Sequence, residues 1–98
     1  MIKAWAEKRR AARRRKTIGS IRDQMAFFGY PLDGLSDEQI EARVTELGRR
    51  IGRIGMSAEE VSMRLAGIAK MFEHPVARAA KLKPDEIDLE AFLRRQPH

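Results

Sequence analysis

Apolar residues recur at alternating three- and four-residue spacing in three stretches of the chain. These are Ile18, Ile21, Met25 and Phe28; Ile40, Val44, Leu47, Ile51 and Ile54; and Val61, Leu65, Ile68 and Phe72. Such spacing keeps side chains on one face of a 3.6-residue helix, so each stretch predicts an amphipathic helix. No segment shows the period-two alternation of a strand, and β-branched residues are scattered. The pattern predicts an all-α fold: a small bundle of three amphipathic helices, one or two short C-terminal helices, and a basic N-terminal arm or helix extension.

The boundaries carry their own chemistry. FGYPLDGLS (28–36) holds Gly29, Pro31 and Gly34, enough to end a helix and turn the chain. Ser36 opens SDEQ and Ser57 opens SAEE, two capping boxes in which the serine and the residue three positions on satisfy each other's backbone N–H groups. Pro75 stops the third helix near Glu73 or His74 and suits the first turn of a short helix reaching about Lys81. His74, at that helix end, reads as a surface or capping residue. KPDEIDLEAFLRR predicts a last short helix with acids in its first turn and Arg94 and Arg95 in its last, as the helix dipole favours. Leu82, Ile87, Leu89, Phe92 and Leu93 would close one end of the core.

The second predicted helix contains Gly48 and Gly52 and ends at Gly55. Glycine inside a helix costs about 1 kcal/mol relative to alanine, so the first two call for a reason. Spaced four apart beside the apolar stripe, they would let another backbone approach closely, or they are simply tolerated. Phe27, Tyr30, Met56, Met63 and Met71 fall off the main stripes, where they would cover a second core face or form an interface.

Composition changes the picture through the placement of charge. The 98 residues carry a net charge of +6. Residues 1–16 hold Lys3, Lys8, Arg9, Arg10, Arg13, Arg14, Arg15 and Lys16 against Glu7 alone, a net of +7. Residues 17–98 hold 12 basic and 13 acidic side chains, a net of −1. The chain thus divides into a cationic arm, 1–16, and a near-neutral helical domain, 17–98. A second, smaller basic cluster is Arg49, Arg50 and Arg53.

LGRRIGRIGMSAEEVSMRLAG (47–67) resembles the helix-turn-helix of DNA-binding regulators, with a turn at Gly55-Met56-Ser57 and Val61 at a core position. The resemblance implies a recognition helix that begins Ser57, Ala58, Glu59, Glu60, which points two carboxylates at a polyanion. An antiparallel helical hairpin within a bundle accounts better for the same residues.

Little else suggests chemistry. The absence of cysteine excludes disulfides, thiolate metal sites and cysteine nucleophiles. His74 and His98 have no second ligand at helical spacing, and no phosphate loop, zinc-protease signature or nucleophile elbow occurs. The carboxylates sit mainly at helix starts, where capping explains them. We expect no enzyme activity, no metal and no cofactor. No apolar run approaches the roughly 18 residues needed to cross a bilayer, and no apolar segment of a secretory signal follows the basic start. The expected location is the cytoplasm or the inside of an assembled particle.

Taken as a helix, 2–16 would carry its basic side chains all round, with only Ile2, Trp5 and Ala12 as a narrow apolar strip. A membrane-surface helix needs a broad apolar face, so a membrane is set aside as partner. Charge on every side suits an arm surrounded by phosphates, and arginine's planar fork makes bidentate contacts to phosphate oxygens. The expectation is a non-catalytic assembly or packaging-type protein whose arm contacts nucleic-acid backbone without sequence specificity. The alternative is a structural or adaptor subunit of a larger assembly, such as a phage particle, with the arm docked on an acidic surface of a protein neighbour. A helix-turn-helix regulator ranks behind both.

Overall fold

A computed structural model describes residues 2–96, with side chains from residue 3 onward. The elements in order are α1 (Ile2–Phe27), α2 (Asp37–Arg50), α3 (Ala58–Met71), α4 (Pro75–Ala79), a 3-10 turn (Pro84–Glu86) and α5 (Leu89–Arg95). The fold is an all-α bundle. Among the described residues there is no strand.

Helix α1 runs unbroken through residue 16, so the basic segment and the first core stripe share one rod. Alanines and straight-chain Arg and Lys favour helix locally. Repulsion between like charges three and four apart opposes it by a few tenths of a kcal/mol per pair. The rod ends in a Schellman motif: Gly29, at φ +87°, donates to the Ala26 carbonyl at 3.0 Å, and the Tyr30 N–H donates to that of Met25 at 2.8 Å. A Cβ at Gly29 would lie 2.8 Å from the Asp85 Cβ, so the 3-10 segment packs directly against this turn.

The start of α2 has the full reciprocal box. The Gln39 N–H donates to Ser36 Oγ at 3.2 Å, and the Ser36 N–H donates to Gln39 Oε1 at 2.8 Å. At α3 only half of it forms: the Glu60 N–H donates to Ser57 Oγ at 3.1 Å, while the Glu60 carboxylate pairs with Arg64 at 3.2 Å. His74 caps α4, its Nδ1 accepting from the Val76 N–H at 3.2 Å. Asp88 caps α5, its carboxylate accepting from the Ala91 N–H at 3.1 Å. The C-terminal segment, expected as one helix, is therefore split, because Ile87 and Asp88 are extended.

Helix α2 is shorter than its apolar pattern suggests. It closes with a second Schellman motif in which Gly52, at φ +76°, donates to Arg49 O at 3.2 Å and Arg53 donates to Gly48 O at 2.7 Å. Ile54 then falls in the connection and is 88% exposed, not in the core. The two glycines separate in role. A Cβ on Gly48 would meet the Arg53 carbonyl oxygen at 2.9 Å, so the backbone it admits is its own chain turning back. Gly52 faces open space and is needed for its positive φ.

The core gathers Ile18, Ile21 and Phe28 of the α1 region, Ile40 and Val44 of α2, and Ile51 and Met56 of the α2–α3 connection. Val61, Leu65 and Ile68 of α3 and Leu89 and Leu93 of α5 complete it. Met56 is thus a core residue, whereas Phe27, Tyr30, Met63 and Met71 are exposed, as is Leu82, which was expected to close the core. Phe27, Phe28 and Phe72 meet edge to face, with centroids 5.1 to 6.1 Å apart. The main packing partner of α3 is α1; the α2–α3 hairpin makes the thinner contact.

Candidate nucleic-acid interface

The core stripe of α1 begins at Ile18. Every described side chain from Lys3 to Lys16 is exposed except Ala6, which is half-buried. At 1.5 Å per residue, Lys3 to Lys16 is a rod of about 20 Å projecting from the bundle. The longest dimension of the molecule, 54 Å against 28 and 25 Å, reflects that projection.

Of the eight cations on the rod, Arg14 alone forms an ion pair among the described residues, with Glu41 of α2. It lies on the core side of the helix one turn before Ile18, which brings it over α2. Its guanidinium pKa is raised, first by the hydrogen bond to the Glu41 carboxylate and then by the attraction of that charge. Arg9 stacks over the only tryptophan of the chain, its Cζ 4.6 Å from the centroid of the Trp5 ring. Lys3, Lys8, Arg10, Arg13, Arg15 and Lys16 project into solvent.

The arginines of the bundle are arranged otherwise. Arg22 donates to the Leu32 carbonyl at 3.1 Å and to the Leu35 carbonyl at 2.6 Å, and reaches Asp37 at 3.4 Å. It thereby pins the α1–α2 loop. In the second basic cluster, Arg49 pairs with Glu46 at 2.6 Å and Arg50 with Glu90 of α5 at 3.0 Å. Arg53 donates to the Gln96 carbonyl. Gln96 also donates to Arg64 O at 3.1 Å, and Arg94 donates to Arg50 O at 3.1 Å. Arg50, Arg53, Arg94 and Gln96 thus fasten the α5 region across the α2–α3 connection. The sequence marked Arg49, Arg50 and Arg53 only as a run of charge. Arg49 has a local acceptor three residues before it, but those of Arg50 and Arg53 lie some 40 residues away, and nothing local identifies them.

A half-open hollow of about 630 Å³ lies against the bundle, lined by Met25, Leu32, Val44, Leu47 and Leu89 among others, with Arg43, Asp88 and Glu90. Among the described residues no group of three or more His, Cys, Asp or Glu side chains is close enough to hold a metal ion, and none of the polar or charged residues is buried. No described helix is long and apolar enough to cross a membrane. The carboxylates Glu59 and Glu60 stand in the first turn of α3, at the leading end of the segment that resembles a recognition helix.

The chemical character of the rod is that of a polyelectrolyte. Its cations are long, exposed and mostly unpaired among the described residues, and their repulsion is relieved by any array of anions. No family model matches this chain, and neither a curated protein nor a solved structure does.

Proposed function

We propose that the N-terminal rod of α1 binds nucleic acid through its phosphates, without reading sequence, and that the helical bundle is a non-catalytic body that serves assembly or packaging. The supporting observation is the unequal treatment of charge along the chain. Arg22, Arg49, Arg50, Arg53, Arg64 and Arg94 of the bundle are engaged by carboxylates or carbonyls, whereas on the rod Lys3, Lys8, Arg9, Arg10, Arg13, Arg15 and Lys16 crowd together with no acid within ion-pair distance among the described residues. An α-helix fits the major groove of duplex DNA, where a helix charged all round has phosphate walls on both sides. Contacts of this kind give affinity and register but carry no base information. This reading places the protein where nucleic acid is, in the cytoplasm or inside an assembled particle.

The test is a salt series with the full chain and a variant in which Lys8, Arg9, Arg10, Arg13, Arg15 and Lys16 are all glutamine. These side chains lie outside the core, so the bundle should fold in both. Affinity for nucleic acid should fall with salt at a log–log slope between about −3 and −6, at roughly −0.9 for each phosphate neutralised in duplex DNA. The variant should lose most of that slope. Equal affinity of the two proteins for every nucleic acid tried would overturn the reading.

A second reading rests on a different observation. Phe27, Phe72 and Leu82 line a shallow apolar hollow on the bundle together with Asp23 and Glu73, and Phe27 and Leu82 are exposed. Such a face suits a protein neighbour, and the arm could dock on acids of the same neighbour, as Arg14 does on Glu41. It predicts a stoichiometric protein partner and no nucleic-acid binding at moderate salt.

A further inference from the structure

The rod carries one feature that phosphate binding does not use. Trp5 is 60% exposed and lies outside the bundle. Arg9 covers one face of its ring at 4.6 Å, which leaves the other face to solvent. With 100° of rotation per residue, Trp5, Arg9, Ala12, Arg13 and Lys16 fall within roughly 100° of one another. That side of the helix is turned away from Ile18 and Ile21, and so away from the bundle core. Over about 17 Å of rod it presents an aromatic plane at one end and then three cations, with a small residue among them.

We propose that this outer face is a stacking site for the unpaired bases of single-stranded nucleic acid. The inference deepens the phosphate-binding reading of the rod and rests on it. An indole face accepts any base, because every base has a π surface, and such stacking adds to affinity without selecting sequence. The Arg9 guanidinium fixes the ring from behind and extends the stacked plane. Arg13 and Lys16 are placed to meet the phosphates of a strand that continues along the helix toward the bundle. A duplex offers the ring no free base face unless neighbouring base pairs are first unstacked. Phosphate contacts alone do not distinguish the two forms in this way; Trp5 does.

The experiment uses the full chain, Trp5→Ala and Trp5→Phe, with a 20-nucleotide single strand of mixed sequence and the matching duplex, titrated at low salt. As the only tryptophan, Trp5 reports directly. Its fluorescence should be quenched by the single strand and much less by the duplex. Trp5→Ala should weaken single-strand binding about tenfold and duplex binding less than about twofold, with the salt slope unchanged because no charge is removed. Trp5→Phe should recover most of the loss. Arm-dependent binding of both forms with no quenching, or with equal losses on both in Trp5→Ala, would overturn the stacking site and leave the phosphate-binding rod intact. Failure of the unsubstituted chain to bind either form would overturn the rod's function and this inference with it.

Discussion

Arg14, near the base of the cationic rod, is tied to the half-buried Glu41 of α2. The pair joins the two charge regimes of the molecule, since one partner belongs to the basic segment and the other to the near-neutral bundle. Both side chains are partly open to water, 56% and 34% exposed, so the pair orients the rod more than it stabilises the fold. Glu41→Gln should leave the melting temperature close to that of the unsubstituted protein. It should also free Arg14 for polyanions, steepening the salt slope of nucleic-acid binding by about 0.9. A large loss of stability on thermal denaturation would contradict this account.

The sign of the pH dependence follows from the same pair. Because the folded-state pKa of Arg14 is raised by Glu41, its contribution is complete below the unfolded pKa and disappears only as pH climbs through the folded value, in strong alkali. Titration of Arg14 therefore causes no loss of stability between about pH 6 and 9. Chemical denaturation of the unsubstituted chain and Glu41→Gln should give the same difference across that range.

Arg22 is expected to matter far more than any arginine of the rod. Its fork holds the carbonyls of Leu32 and Leu35 at once, so Arg22→Ala leaves the loop ahead of α2 without its clamp. The expected cost is about 1.5–3 kcal/mol, the range for hydrogen bonds to a charged group. Arg22→Lys should recover only part of it, since an ammonium cannot reproduce the planar two-pronged geometry. Urea midpoints of the three proteins decide the matter.

Gly48→Ala and Gly52→Ala should both destabilise, for separable reasons. At Gly48 the added methyl meets the Arg53 carbonyl, and forcing that turn apart should cost about 1–3 kcal/mol. At Gly52 there is room, and the cost is the roughly 1 kcal/mol of placing an L-residue at positive φ. Asparagine, which tolerates that conformation better, should rescue position 52 and worsen position 48; equilibrium unfolding of the four variants separates the two effects.

Lys81 holds φ +56° at the end of α4, where its N–H donates to Arg78 O and that of Leu82 to Ala77 O, both at 3.1 Å. This is a third Schellman ending without the usual glycine. Lys81→Gly should raise stability by about 0.5–1 kcal/mol, as relief of the left-handed strain outweighs the added freedom of the unfolded chain. A lower urea midpoint in the variant would show that the Lys81 side chain contributes something beyond the backbone turn.

What was legible in the sequence is what local periodicity and local chemistry determine. Apolar spacing fixed the three main helices and most of the core, because burying a stripe is the only way those segments can gain from folding. Ser36 and Gln39 specified the start of α2 through bonds that span three residues. The division of charge at residue 16 is pure counting, and it located the basic segment, whose continuity with the first helix came only from the structure. Tertiary structure decided the rest. Ile54 continues the apolar period of α2 yet is exposed, because Gly48 and Gly52 let the chain turn back before the stripe is complete, and Met56 takes a buried place that the period did not assign. Arg49, Arg50 and Arg53 read as a basic patch, but Glu90 and Gln96, the acceptors of Arg50 and Arg53, arrive only when α5 folds across the hairpin. Whether an arginine is free or engaged depends on partners distant in sequence. That is why a string of charges shows where cations are, while only the packed chain shows that Arg22, Arg50 and Arg53 are held and that every cation of the rod except Arg14 lacks an acid partner among the described residues.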